Sequence, residues 1–147
     1  MGERSVSVVI PALNEEASIA VVLAAIPLDA VGEIIVVDGG SSDRTVEIAR
    51  QLGLDTLVHI QNKGYGGNQK TCYMQALEDG ADIVVMLHPD YQYDSTLVPE
   101  LIAPIQCGEV DMMMGSRFLG GQVRAGGMPA YKIVANRFLT VCENLVL

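Results

Sequence analysis

Basic residues are scarce in this sequence. Nine Lys and Arg stand against eighteen Asp and Glu, a formal charge of −9. A general nucleic-acid or anionic-membrane binder needs a basic face, so this balance argues against one; it leaves room for a small phosphorylated ligand, which needs only a local pocket. Cysteine is scarce too. Cys72, Cys107 and Cys142 stand far apart, without metal-ligand spacing, so neither a disulfide framework nor a zinc site is expected. The thiols read as free groups in a reducing cytoplasm. No apolar run reaches the roughly 18 residues that a membrane span needs. The opening Met-Gly-Glu-Arg leads straight into a strand-like run without a cleavage site, so no signal peptide is expected, and Val6 stands where myristoylation requires Ser or Thr. Repeats, low-complexity tracts and linkers are missing.

What is present is a hydrophobic, folding sequence. Half of the 147 residues are hydrophobic and 18% are charged, which excludes disorder and fits one domain or part of one. Ser5–Ile10 is a β-branched run ended by Pro11 and predicts a buried strand. Asn14 is placed to cap a following helix, with Glu15 and Glu16 in its first turn and Ile19, Val22, Leu23 and Ile26 as its stripe, up to Pro27. Glu33–Val37 predicts a second strand, Asp43–Leu52 a helix ended by Gly53, and Thr56–Ile60 a third strand. Asn62–Gly67 reads as a glycine-rich loop before a helix over Asn68–Asp79. Asp82–Leu87 is the most hydrophobic strand, which predicts the centre of the sheet. A helix near Thr96–Ile105 and a fifth strand, Val110–Met114, follow. Gly115–Met128, with five glycines and no apolar period, reads as loop, and Pro129–Leu147 as a long helix.

Alternating strands and helices with short turns predict an α/β fold: a three-layer α/β/α arrangement around a mostly parallel sheet. Ligands bind beyond the carboxyl ends of such strands, and the polar residues gather there: Asn14 and Glu15 after the first strand, Asp38 after the second, His88 and Asp90 after the fourth. Neither G-x-x-x-x-G-K-[ST] nor a G-x-G-x-x-G after the first strand occurs, so a phosphate has to be held mainly by a metal ion, Arg and Lys. The best candidate for that metal is the loop His88-Pro89-Asp90-Tyr91-Gln92. Alternate residues of an extended segment point the same way, and Pro89 favours extension at His88. Oxygen ligands from Asp90 and Gln92 suit Mg²⁺ or Mn²⁺, and an imidazole at His88 tilts the choice toward Mn²⁺.

Four ordered segments carry a resemblance. VVIPALNEEASI is similar to the opening strand and loop of family-2 glycosyltransferases of the GT-A fold, in the branch of dolichol- and polyprenyl-phosphate sugar transferases. EIIVVDGGSSDRT resembles that family's V-D-D-G-S-x-D-x-T motif, NKGYGGNQKTCYMQAL its N-x-G-x-G-x-A segment, and DIVVMLHPDYQYD with MMMGSRFLGG its metal loop and G-S-R strand end. The resemblance implies that Pro11, Leu13, Glu15, Asp38 and Gly64 bind the nucleotide. It implies that Asp90, with Gln92 and His88, faces a Mg²⁺ or Mn²⁺ ion, and that Asp90 and Arg117 are the catalytic pair toward the diphosphate. The loop Gly115–Met128 would be the mobile loop over the site. Two positions depart from the pattern. Gly39 stands in place of a second Asp, which weakens a base or ribose contact or hands it to Ser41. His88 stands in place of the first Asp of D-x-D, which lowers the attraction for a dication.

The implied function is inverting transfer of a hexose from a nucleoside-diphosphate sugar to an acceptor, a polyprenyl (dolichyl) phosphate. The alternative is a nucleotide-sugar binding module without turnover. No convincing general base is seen. Either it lies beyond residue 147, or the acceptor is a lipid phosphate whose oxygen is already ionised at neutral pH. The apolar end Asn144-Leu145-Val146-Leu147 predicts that residues 1–147 are the front part of a longer protein, a nucleotide-sugar-binding domain without its acceptor side. The last helix has a stripe of Val134, Phe138, Val141 and Leu145. It reads as a face packing on further chain, as an interfacial helix touching lipid at the inner side of a membrane, or as a contact between copies in a homo-oligomer.

Overall fold

A computed structural model of the chain describes residues 4–116 and 129–146. They form two compact units, one up to residue 113 and one from residue 114. In the first unit the strands β1 (Val6–Ala12), β2 (Glu33–Asp38), β3 (Asp55–Val58) and β4 (Ile83–Met86) pair in the order β3-β2-β1-β4, all parallel. Between them run α1 (Ile19–Ala24), α2 (Thr45–Gln51) and α3 (Gly64–Glu78), and after β4 comes α4 (Val98–Gln106).

The alternation of β1 sorts its side chains to two cores. Val6, Val8, Ile10 and Ala12 pack with Ile34 and Val36 of β2 against α1, α2 and α4, where Ile19, Val22, Leu23, Ala49, Val98 and Ile102 are buried. Val9, Ile35 and Val37 face the other way, onto Cys72 and Ala76 of α3. The expected three-layer α/β/α architecture is therefore the observed one. At the amino ends of the strands, Asp82 accepts the backbone N–H of Ser5 at 2.9 Å and donates its own N–H to the Ser5 hydroxyl at 3.0 Å, which fixes β1 against the start of β4.

Several sequence expectations need correction. Asn14 does not cap α1: it sits at φ +55°, its side chain accepts from Ser42 N–H, and the helix starts only at Ile19. The segment after Asn62 is not a loop up to residue 67. The Asn62 side chain accepts the N–H of Gly64 at 2.7 Å, Gly64 takes φ +73°, and α3 starts there. Gly67 is needed for packing, since a Cβ would lie 2.6 Å from that of Lys63. Hydrophobicity placed β4 at the centre, but among the described strands it is an edge, and Val84, Val85 and Met86 are only partly buried. Val110–Met114 forms no strand: a strand needs a ladder partner, and Met112 and Met114 are exposed. In the second unit, helix α5 (Ala130–Val146) forms as expected, with Val134, Phe138, Val141 and Leu145 exposed.

Ile10 is fully buried and Leu28 largely exposed. Ile10→Ala is expected to cost about 2–5 kcal/mol in urea unfolding, and Leu28→Ala less than about 0.5 kcal/mol. Equal losses would contradict this placement of the core.

Candidate functional site

The sheet order places the parting of crossovers between β1 and β4, since β2 and β3 extend to one side of β1 and β4 lies on the other. That is the point where parallel sheets open a crevice at their carboxyl ends.

The loops after β1 and β2 are stitched together by side chains that satisfy each other's backbone. Asn14 N–H donates to the Ser41 hydroxyl at 2.8 Å, Glu15 N–H to the Thr45 hydroxyl at 2.8 Å and Glu16 N–H to the Asp43 carboxylate at 3.1 Å. In return Ser42 N–H donates to Asn14 and Arg44 N–H to Glu16. The Ser, Thr, Asn and Asp residues that a sequence reader takes for turn formers thus hold two loops in register. The Glu15 carboxylate accepts from the Ser18 hydroxyl at 2.7 Å.

Asp38 lies under this junction and is fully buried. One carboxylate oxygen accepts the N–H groups of Gly40 at 2.9 Å and Ser41 at 2.8 Å, and the other takes the Ser41 hydroxyl. Ser41 is thereby committed to the loop on both its donor and acceptor sides.

Between the tips lies a solvent-open cavity of about 320 Å³, at the small end of the roughly 300–1,000 Å³ of ligand sites. Pro11, Leu13, Glu15, Gly64, His88 and Asp90, all singled out in the sequence, share its wall with Gly39, Asn62, Tyr65 and Asn68. Asp38 and Gln92 are not on this wall: Asp38 lies beneath the loop that includes Gly39, and Gln92 is exposed and donates its N–H to Asp90 at 3.1 Å. Arg117 and most of Gly115–Met128 lie outside the described residues. Sequence reasoning missed Tyr65 and Asn68. Asn68 carried a signal, because it repeats with Cys72 and Ala76 at the four-residue spacing of a buried helix face.

Asn68 is buried on α3, and its amide N–H₂ donates to two strand-tip carbonyls, Val37 at 3.0 Å and Ala12 at 3.3 Å. Its Oδ1 is buried without a hydrogen-bond partner among the described residues. An orphaned acceptor of this kind costs about 1–3 kcal/mol.

Also on α3, Gln69 donates to the Tyr65 hydroxyl at 2.6 Å, and Tyr65 meets His88 Nε2 at 2.9 Å. Partial burial, followed by the nearby Tyr93, Tyr73 and Asp90, raises the Tyr65 phenol above its ordinary range. The hydroxyl and Nε2 share one hydrogen bond, whose donor follows the tautomer of the His88 ring. The ring also stacks on Tyr65, at a centroid distance of 5.6 Å, and tilts against Tyr93.

Among the described residues no three His, Cys, Asp or Glu side chains form a ready metal cage. A Mg²⁺ or Mn²⁺ site made from one carboxylate and substrate phosphates, a mode these ions favour, fits the donors at hand, and Asp90 on the cavity wall would supply the carboxylate.

A sequence profile described as Glycosyl transferase family 2 matches residues 7–144. The chain belongs to this family. Its fold is likewise similar to that of glucosyl-3-phosphoglycerate synthase from Mycobacterium tuberculosis in complex with Mn²⁺, UDP and glucosyl-3-phosphoglycerate (TM-score 0.62, 33% identity), over 72% of this chain and 41% of that one. The same synthase is also known with Mg²⁺ and UDP. Curated relatives include the low-salt glycan biosynthesis hexosyltransferase of Haloferax volcanii, 38% identical over 96% of this chain and 34% of the relative. Another is the UDP-N-acetylglucosamine–dolichyl-phosphate N-acetylglucosaminyltransferase of Methanococcus voltae, 31% identical over 99% of this chain and 64% of the relative. The chain thus spans between about a third and two thirds of the length of these two curated family members.

Behind the Asp38 loop of this family-2 chain, His59 is buried. Its N–H donates to the Asp38 carbonyl at 3.0 Å, Nε2 meets the Thr71 hydroxyl at 2.9 Å, and Nδ1 has no partner among the described residues. Burial, then the charge of Lys63, push its pKa below the ordinary imidazole value. The unfolded chain therefore takes up the proton first as pH falls through about 6.5, and stability is lost below that point and not above it. The melting temperature is expected to fall between about pH 6.5 and 5, where carboxylates are still ionised. His59→Gln is expected to flatten that decline; an unchanged slope would remove His59 as its source.

Proposed function

We propose that this chain is the nucleotide-sugar-binding part of an inverting glycosyltransferase that moves a hexose from a nucleoside diphosphate to an acceptor. The observation that carries the reading is the strand-tip cavity, where Leu13 offers an apolar wall at one side and His88 and Asp90 offer polar groups at the other. A base needs the first and a diphosphate the second. The membership in glycosyl transferase family 2 supports the same reading.

In this reading Pro11, Leu13, Glu15 and Gly64 surround the nucleoside, with the buried carboxylate of Asp38 shaping the loop that includes Gly39. Asp90 is the residue that would hold a Mg²⁺ or Mn²⁺ ion. When bound, the ion supplies positive charge to the leaving diphosphate. When the Tyr65 hydroxyl donates to Nε2, His88 carries its proton on Nδ1 and can offer it to a phosphate oxygen. That donor replaces the repulsion a second carboxylate would add. For Arg117, which lies outside the described residues, a part toward the diphosphate is carried by the family resemblance alone. Stabilising the charge that grows on the leaving group is the main electrostatic task of such a site.

For the acceptor we favour a polyprenyl phosphate at the cytoplasmic side of a membrane. Support comes from the activity after which the Methanococcus voltae relative is named. An acceptor that is already ionised needs orientation rather than a general base, and no group on the described cavity wall is plainly placed as one. No helix among the described residues is long and apolar enough to cross a membrane; the exposed stripe of α5 is a candidate for contact with lipid.

Titration calorimetry with UDP, GDP and dTDP, each with and without Mn²⁺, tests this reading. At least one nucleotide is expected to bind, more tightly with Mn²⁺, and Asp90→Ala to remove the Mn²⁺-dependent gain, about tenfold or more in affinity. Binding by none of them would overturn the reading. Binding without sugar transfer or hydrolysis would favour the binding module.

A further inference from the structure

Besides His88, two positions in the cavity wall where this chain departs from the family's motifs, Gly39 and Asn68, lie side by side. Gly39 stands where V-D-D-G has its second Asp, and Asn68 stands where N-x-G-x-G-x-A has Ala. A Cβ built on Gly39 would lie 3.4 Å from the Asn68 Nδ2, 3.5 Å from the Ala12 carbonyl oxygen and 3.7 Å from Leu13 Cδ1. The backbone at Gly39 is not in the left-handed region, so space and not conformation is what the glycine provides. A carboxylate extending beyond that Cβ would compete with the Ala12 and Val37 carbonyls for the Asn68 N–H groups.

We propose that Asn68 is a positioning residue for nucleotide selection, and that Gly39 and Asn68 act as one exchanged pair: the side chain missing from the tip of β2 is supplied by α3. This rests on the nucleotide-binding reading of the cavity. Asn68 holds the Ala12 and Val37 carbonyls with its two N–H groups, and so sets the spacing of the β1 and β2 tips from which Leu13 and Gly39 form the nucleoside end of the wall. The pair also changes the charge there. Glu15 and Asp90 are the carboxylates on the described wall; a second Asp would add a third next to a ligand that is itself anionic, and a neutral amide does not. Ser41 does not take over the missing contact, because its hydroxyl is bound to Asp38 and to the N–H of Asn14.

The test is a double-substitution cycle on the chain, read by the Kd of UDP and of GDP with Mn²⁺ and by melting temperature. Gly39→Asp is expected to weaken the preferred nucleotide about tenfold or more, because its carboxylate draws the Asn68 N–H groups from the strand-tip carbonyls and adds negative charge beside an anionic ligand. Gly39→Ala, with only a Cβ at ordinary contact distance, is expected to stay within about threefold. Asn68→Ala and the isosteric Asn68→Asp, which both lose the donors, are expected to weaken binding and to change the UDP-to-GDP preference, a ratio that mere loosening of the fold would leave alone. Gly39→Asp combined with Asn68→Ala is expected to bind at least about fivefold more tightly than Gly39→Asp alone. A double variant as weak as the product of its singles, or an unchanged UDP-to-GDP ratio in both Asn68 variants, would overturn the pairing while leaving the nucleotide site standing. If the unsubstituted chain bound neither UDP, GDP nor dTDP, the functional reading itself would fall, and the pairing with it.

Discussion

Parallel pairing of β1 with both β2 and β4 is the constraint on which the rest depends. It aims three strand ends at one edge, and because the chain crosses to opposite sides of β1, the loops after β1 and β4 part and leave a cleft. At the tips, where the Ala12 carbonyl still takes the Gly39 N–H at 2.8 Å, side chains add further hydrogen bonds to the backbone: Asn68 donates to Ala12 and Val37, and Asp38 accepts the amides of Gly40 and Ser41. The site is thus made of the groups that finish the sheet, and a change in one alters both the fold's edge and the cavity wall.

This explains why so many polar residues gather at one edge of an otherwise apolar unit. Asn14, Ser41, Asp43 and Thr45 spend their hydrogen bonds on each other's loops, while Glu15, His88 and Asp90 reach the cavity. The buried thiol of Cys72, pushed up to about 12 by desolvation, belongs to the inner face of α3 and not to the chemistry.

Much of the fold was legible. The β-branched runs of β1 and β2 and the punctuation by Pro27 and Gly53 carry strong local signals, and the ordered motifs pointed to the strand tips. What could not be read was non-local. Strand β4 is apolar enough for a central place, but its outer neighbour is decided by pairing elsewhere, and Val110–Met114 does not supply one. The glycines of residues 64–67 signalled a loop because Gly is a poor helix former, yet close packing on Lys63 and the Asn62 turn override that propensity. At the site, the residues and the family resemblance together pointed to six members of the cavity wall, whereas Asp38 and Gln92 lie off it. Hydrogen-bond saturation, which turns Asp38 inward and engages His88 Nε2 with Tyr65, depends on distances that no sequence spacing encodes.

The central claim is that the cleft between the β1 and β4 tips holds the nucleoside diphosphate. Amide hydrogen exchange of the chain with and without UDP and Mn²⁺ tests it most directly. The account requires slower exchange at residues 12–15, 39–41, 62–68 and 88–90, with the amino-terminal edge around Ser5, Gly32 and Asp82 unchanged. Protection at that opposite edge, or confined to β3 and α2, would contradict it.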